Sequence, residues 1–447
     1  MTMEENSADV SHVKTAGREL IACHECDFIH VIKPLSKGGK ALCTRCGALL
    51  YQSTPNSIEK ALALNLAAFM LFVMANAFPF LSLEIGGRFV ENYFLSGALM
   101  LYRLGMGEVG LLVLITSFLF PLFTISGMLY ILLPIKLGYR PWKMSLVYRM
   151  VRAIKPWSLV SVFMLGVLIS FVKLLDLATI IPGISLFSFV GLMVVMAAAH
   201  VSLDPFALWN PTEFGEQTRK LETYESKMPD SGASVSTDLE TANRGATARA
   251  QGLICCHTCA LLVPEMSSQG HCPRCKTLVH SRKTNSIERT WALIFSAVLL
   301  FIPANIYPVM TVIQFGQVYP STILGGVVHL IDGGMWVLGL IIFFASIIVP
   351  VLKLIVLSCL LISIQRKTPW RTRDRTLLFR VTEVIGAWSM VDIYVVAILA
   401  GLVNLGALSS IRPGIGVVFF GGVVVITMFA ASSFDPRLIW DNSGRLT

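Results

Sequence analysis

Four stretches without one charged side chain, 61–78, 110–135, 177–199 and 414–431, are each at least 18 residues long. Apolar helices of that length cross a bilayer. Inside lipid every backbone N–H and C=O must be satisfied within the protein, and helical runs of this kind satisfy them along their own axis. The chain therefore reads as an all-α polytopic membrane protein. Only 14% of the residues are charged, against roughly 25% in soluble globular chains. The net charge of +9 does not signal nucleic acid, because the basic residues crowd into short loops between apolar runs, as positive-inside topology requires. The first twenty residues lack the basic head, apolar stretch and cleavage site of a secretory signal, so the N-terminus is expected in the cytoplasm.

The sequence is also written twice. Cys43-Thr44-Arg45-Cys46 recurs as Cys272-Pro273-Arg274-Cys275, Asn56-Ser57-Ile58-Glu59 as Asn285-Ser286-Ile287-Glu288, and Asn76 to Pro79 as Asn305 to Pro308, each 229 residues on. Pro121 and Pro350 keep that offset. After a two-residue slip, Trp157-Ser158 answers Trp388-Ser389, Pro182-Gly183 answers Pro413-Gly414, and Asp204-Pro205 answers Asp435-Pro436. The expected architecture is two tandem repeats of four transmembrane helices, each preceded by a small four-cysteine module. Helices are expected at about 60–82, 108–135, 157–178 and 184–203, then at about 290–313, 335–363, 385–406 and 414–433.

Six basic residues (Lys136, Arg140, Lys143, Arg149, Arg152 and Lys155) separate the second and third helices of the first copy. Their counterparts are Arg366, Lys367, Arg371, Arg373, Arg375 and Arg380. Those loops are expected to face the cytoplasm. An even number of helices per copy then puts both termini and both cysteine modules on the same side, with the pseudo-symmetry axis along the membrane normal. The expected segments are a tail and first ribbon at 1–57, a membrane module at 58–210 and a polar, flexible linker at 211–250. A second ribbon at 251–284, a second membrane module at 285–441 and a tail at 442–447 complete the chain.

Cys23, Cys26, Cys43 and Cys46 are spaced C-x2-C-x16-C-x2-C, and Cys256, Cys259, Cys272 and Cys275 C-x2-C-x12-C-x2-C. Two knuckles of two thiolates make a tetrahedral S4 site suited to zinc, and a module of about 30 residues needs such a staple to fold. Iron in the same geometry and a redox-active dithiol pair are the alternatives. A closed S4 site leaves no open position for metal hydrolysis. His24 and His257 read as bystanders, and Cys255 as a small hydrophobe. The modules lack a series of aromatic stacking residues and abut membrane helices, which argues against nucleic acid.

Ionisable groups at bilayer depth are functional candidates. Lys353 lies about 11 residues, or roughly 16 Å, from the cytoplasmic end of its helix, beside Pro350. Pro121 repeats the expected helix break in the first copy. The alternative for Lys353 is to reach an interface. Lys173 and Asp176 share one face of the third helix and pair there or lie at the periplasmic interface, and Asn404 stands opposite Lys173 in the second copy. Asp392 reads as interfacial or as a partner of Lys353. Asn76 and Asn305 read as caps. Short Gly-broken stretches at 92–106 and 321–335 read as interfacial or re-entrant helices, with Ser321, Thr322, Gly325 and Gly326 lining the turn of the second. No Walker A loop, G-x-S-x-G elbow, H-E-x-x-H or dinucleotide fingerprint occurs, so the chain does not read as an enzyme.

The doubled C-x2-C pairs and the Asn-Ser-Ile-Glu and Ala-Asn-x-x-Pro steps resemble the paraquat-inducible protein A family. So do Ser321-Thr322-Ile323-Leu324, Trp388-Ser389-Met390-Val391-Asp392, and Phe434-Asp435-Pro436-Arg437-Leu438 with Trp440-Asp441. The likeness runs from about residue 20 to 441. It implies an inner-membrane protein of Gram-negative bacteria that works with a periplasm-spanning MCE protein, PqiB-like or LetB-like, to move lipids between the two membranes, with a link to envelope stress. On that reading Lys353, Lys173 and Asp176 offer a phospholipid headgroup a polar path or couple a proton to its movement. An independent exporter of a small toxic cation and a thiol redox protein are the competing readings.

Overall fold

A computed structural model describes residues 14–15, 18–33, 35–36, 38–85, 88–139, 141–175, 179–204, 208–209, 247–265, 270–314, 317–368, 371–402 and 409–441. Helices dominate. In chain order they are α1 (Ser57–Ala77), α2 (Ser96–Arg103), α3 (Gly107–Lys136), α4 (Met144–Ile154), α5 (Val160–Leu175), α6 (Ile184–Ser202), α7 (Ser286–Ile306), α8 (Ile323–Asp332), α9 (Trp336–Gln365), α10 (Thr372–Ile385), α11 (Val391–Leu402) and α12 (Gly416–Ser433). Among the described residues, eight spans are long and apolar enough to cross a membrane: α1, α3, Met144–Val172, α6, α7, α9, Thr372–Gly401 and α12.

The basic loops are not plain connections, because most of their length is helical. α4 leads into α5 through a short 3-10 turn at Lys155–Trp157, and α10 leads into α11 through another at Gly386–Met390. The first helix of each copy is shorter at its far end than its hydropathy suggests. Residues Leu81–Ile85 and Met310–Gln314 are strands, each the centre of a three-stranded antiparallel sheet. Leu81–Ile85 pairs with Arg88–Asn92 and with Thr179–Pro182, and Met310–Gln314 with Gln317–Ser321 and Ser409–Pro413. Periodicity missed them because their apolar residues run on from the helix, and one of the two partners of each, Thr179–Pro182 or Ser409–Pro413, lies about a hundred residues away. The fold is thus mostly helical, not all-α.

Neither proline ends its helix. Ile115–Leu119 and Phe344–Ile348 are π-helical turns, 229 residues apart, and Pro121 and Pro350 follow each by two residues. One extra residue in the turn makes room for a ring that would strike the carbonyl four residues back, so the helix widens and continues instead of breaking. The structure replaces the expected break with a π turn.

The chain forms two compact units. The first comprises residues 1–63, 130–150 and 199–282, and the second 64–129, 151–198 and 283–447. The first unit holds the cysteine modules, built on hairpins Arg18–Ala22/Ile29–Val31, Lys40–Leu42/Leu49–Gln52 and Leu253–Cys255/Leu262–Pro264. Leu20, Ala22 and Ile29 of the first module pack with Ala248 and Leu262 of the second. Ile254, Leu261, Val263 and Val279 form a core around the second cysteine group, with Trp209 against it. Residues 211–246 of the expected linker lie outside the described residues. Its last part is structured: Thr247 bridges to Phe28, and Arg249–Gln251 form a 3-10 turn.

The second unit is built around an apolar core in which Phe80, Phe94, Phe163, Phe189 and Tyr394 meet ring to ring. Two glycines admit close backbone approach: a Cβ on Gly183 or Gly414 would lie 2.1 Å from the carbonyl oxygen of Pro79 or Pro308.

The Asn-Ser-Ile-Glu step starts α1 and α7. Asn56 and Asn285 take left-handed backbone, at φ 54° and 49°. The serine that follows binds the end of the last helix of its copy. In the first unit Ser57 Oγ donates to the Ser202 carbonyl at 2.8 Å and accepts from the Asp204 N–H at 2.8 Å. In the second, Ser286 Oγ donates to Ser433 at 2.8 Å and accepts from Asp435 N–H at 3.0 Å. Asn76 and Asn305 cap their own helices, donating to the carbonyls of Phe72 and Phe301 at 2.7 and 2.8 Å.

Candidate metal centres and membrane polar site

Each C-x2-C knuckle is a tight turn closed by backbone hydrogen bonds. Asp27 N–H donates to the Cys23 carbonyl, Gly47 to Cys43, Ala260 to Cys256 and Lys276 to Cys272, at 2.8–2.9 Å. The residue after the second cysteine is left-handed in all four, with φ between 57° and 74°. These turns aim both sulfurs of a knuckle inward.

Cys23, Cys26, Cys43 and Cys46 form one buried group and Cys256, Cys259, Cys272 and Cys275 the other, with all sulfurs of a group within 4.8 Å of one another. The closest cross-knuckle contacts are 3.4–3.5 Å, near the roughly 3.8 Å edge of a tetrahedron with 2.3 Å metal–sulfur bonds. Hydrogen bonds from Cys23 and Cys26 hold the Cys43 and Cys46 thiols below their ordinary value. Those from Cys256 and Cys259 lower Cys272 to about 7 and also depress Cys275. A divalent cation that binds four thiolates displaces the protons the thiols still hold. Four soft donors with no open position fit a closed structural metal site.

The outer shells differ. His30 Nε2 lies 3.3 Å from Cys43 Sγ in the first site, whereas Cys275 Sγ meets Thr277 Oγ1 at 3.2 Å, and Thr277 meets Thr258, in the second. Sequence spacing did not single out His30. His24 and His257 are exposed and stand outside the two groups. Cys255 sits at the packing between the modules, its thiol 3.9 Å from the Ala22 carbonyl.

In the membrane module, Lys353 is buried at 2% exposure. Its amine donates to Thr427 Oγ1 at 3.4 Å, while Thr427 donates onward to the Val424 carbonyl. The amine also lies against the backbone of Gly386, where a Cβ would come within 2.7 Å of Nζ. Ser346 stands seven residues before Lys353, in the π turn, which packs against Gly386–Met390 and α11. The buried hydroxyls of Ser346 and Ser389 have no hydrogen-bond partner among the described residues, as do groups that await water or a ligand atom.

Asp392, Ser321 and Thr322 line one small cavity of about 40 Å3 with Met310 and Gly326. Thr322 caps α8, its hydroxyl accepting from Gly325 N–H at 3.1 Å. The sequence candidates thus fall into two places, Lys353 with Thr427 and Asp392 with Ser321 and Thr322. Asp176 and Asn404 lie outside the described residues, as does the side chain of Lys173. In the first copy Thr124 replaces the lysine and bonds its own helix at Phe120. Sequence reading passed over Thr427, Ser346 and the fully buried Tyr394, whose hydroxyl meets Thr116 at 2.9 Å. Ser346 had a signal, since Ser117 stands 229 residues before it.

The sequence profile described as Paraquat-inducible protein A matches residues 58–213 and 287–443. The chain belongs to this family. Intermembrane transport protein PqiA of Escherichia coli (strain K12) is 32% identical over 425 residues, covering 94% of this chain and 95% of that protein. Lipophilic envelope-spanning tunnel protein A of the same organism is 28% identical over 437 residues, covering 96% and 94%. A probable intermembrane transport protein of Haemophilus influenzae is 24% identical over 429 residues, covering 94% and 96%. No solved structure matches the chain. Two of these relatives are named for intermembrane transport and one for an envelope-spanning tunnel, none for an enzymatic reaction.

Proposed function

We propose that this protein is the inner-membrane component of an MCE-type lipid transport system, passing phospholipid between the bilayer and a periplasmic PqiB-like or LetB-like partner. The observation that carries the reading is a buried lysine with polar neighbours inside eight apolar spans, in a chain similar along nearly its whole length to proteins named for intermembrane transport and an envelope-spanning tunnel. A buried cation costs free energy that packing alone does not explain. Lys353 holds a headgroup phosphate in passage or carries a proton coupled to it, with Thr427, Ser346 and Ser389 supplying exchange partners. Asp392 with Ser321 and Thr322 extends the polar route, and Lys173, Asp176 and Asn404 are proposed as further members from the sequence alone.

The membrane part is a duplicated four-helix module, supported by paired π turns, sheets and serine ties at nearly one offset. On this reading α4, α10, both termini and the ribbons are cytoplasmic, and the basic segments support it. Each ribbon binds one structural zinc, which holds the knuckles together and takes no part in hydrolysis.

Lys353→Met and Asp176→Asn test this in cells lacking redundant systems, with the envelope barrier to detergents as readout. The reading expects a barrier defect at normal protein level from at least one. Intact barriers in both, with the deletion itself defective, would remove the polar route from the mechanism.

A further inference from the structure

A groove of about 610 Å3 lies between α2 and the start of α3. Its walls are apolar: Leu99, Leu111 and Leu114 line it, and Leu99 and Leu111 are exposed at 57% and 55%. Tyr102, 70% exposed, stands at its side, and Glu108 is the single charged residue of the lining. Gly105, in a left-handed turn at φ 84°, links the two helices tightly enough to leave the space. At the 229-residue offset the second copy carries Ile331 for Tyr102, Trp336 for Gly107, Val337 for Glu108 and Phe343 for Leu114. The two copies therefore differ in chemistry where the first has a roomy groove with a carboxylate.

We propose that this groove holds one phospholipid with an amine headgroup, of the phosphatidylethanolamine class, its ammonium beside Glu108 and an acyl chain along Leu99, Leu111 and Leu114. The volume suits a chain segment and headgroup but exceeds what side-chain packing leaves by accident. A carboxylate at the rim of an apolar groove attracts an ammonium and repels a headgroup with net negative charge, so electrostatics sets the selectivity. α3 is 30 residues long, about 45 Å at 1.5 Å per residue, with Glu108 at one end and Lys136 at the other. Resting on the orientation in the proposed function, the basic end is cytoplasmic and Glu108 stands at the periplasmic headgroup level. That is the leaflet from which a periplasmic partner would receive lipid or to which it would return it.

The test uses the full chain with p-benzoylphenylalanine in place of Leu111, reconstituted in vesicles of equal phosphatidylethanolamine and phosphatidylglycerol, with crosslinked lipid identified by mass spectrometry. The expected result is enrichment of phosphatidylethanolamine by about fivefold, the scale of one partly exposed charge pair. Glu108→Gln, which keeps the shape, should return the ratio to the vesicle composition. Leu99→Trp, at an exposed position, should fill the groove and suppress crosslinking to both lipids. Equal labelling of both lipids in the wild type, or a ratio that Glu108→Gln leaves unchanged, would overturn the proposal. Absence of any lipid crosslink would overturn it too. In that case phospholipid co-purifying with the same preparation shows that only the groove is wrong, and its absence removes the lipid reading as well.

Discussion

Asp27 follows the first knuckle and is 3% exposed. Its Oδ2 accepts from both terminal nitrogens of Arg282, at 3.2 and 3.1 Å, and from the Arg249 N–H at 3.2 Å. One carboxylate thus ties the first cysteine module to the segments that open and close the second. Asp27→Asn keeps the side-chain size and a residue that tolerates the left-handed backbone at φ 62°, but leaves the guanidinium without its counter-charge. Breaking a buried pair from one side costs roughly 3–5 kcal/mol. Here Asn still accepts a bond and Arg282 keeps its own 2.7 Å bond to the Ser281 carbonyl, so the expected loss is about 2–3 kcal/mol. The double variant Asp27→Asn with Arg282→Met removes both charges and should lose about 1 kcal/mol or less, less than Asp27→Asn alone, so that the single losses are strongly non-additive. The assay is a urea titration of the full chain in mild detergent, following metal release with a chromogenic chelator. If Asp27→Asn matched the wild type within about 0.5 kcal/mol, or if the double variant lost the sum of the singles, the tie between the modules would be refuted.

Ser57→Ala and Ser286→Ala each remove one donor and one acceptor at a helix start, and each should cost about 1–2 kcal/mol in thermal unfolding of detergent-solubilised protein; a change within error would show water replacing both bonds. Metal analysis of the native chain should give two zinc ions. Cys43→Ser or Cys272→Ser should leave one, whereas an unchanged count of two would place the metal elsewhere. Burial works to raise the Asp435 carboxyl, but hydrogen bonds and charge from Arg437 and the Lys283 N–H outweigh it and hold the group below its ordinary range. Its stabilising effect is therefore present above that range and is lost as pH falls through the lowered value. Thermal melts followed by circular dichroism should show a drop below about pH 4 that is flattened in Asp435→Asn; equal acid profiles would contradict the sign.

What was legible from the sequence is what short-range chemistry dictates. The four C-x2-C pairs assemble two by two into two four-sulfur groups because a knuckle is closed within five residues, and eight apolar spans declare themselves because lipid enforces length and hydropathy. Long-range partners were not legible. Nothing local in Leu81–Ile85 announces a strand partner that begins at Thr179, and nothing near Lys353 names Thr427, 74 residues on. The proline steps misled because ring sterics have two remedies, a kink or a widened turn, and the widened turn is the one adopted. Asp392, read from the sequence as interfacial or as a partner of Lys353, lines a cavity with Ser321 and Thr322, residues about 70 positions earlier in the chain that nothing local connects with it.

The central claim is that this chain hands lipid to or from a periplasmic MCE partner. Purification from native membranes in mild detergent, with co-purifying proteins and lipids identified by mass spectrometry, tests it directly. The account predicts a bound MCE protein together with phospholipid. A homogeneous, solitary protein free of lipid would contradict it and favour an independent transporter.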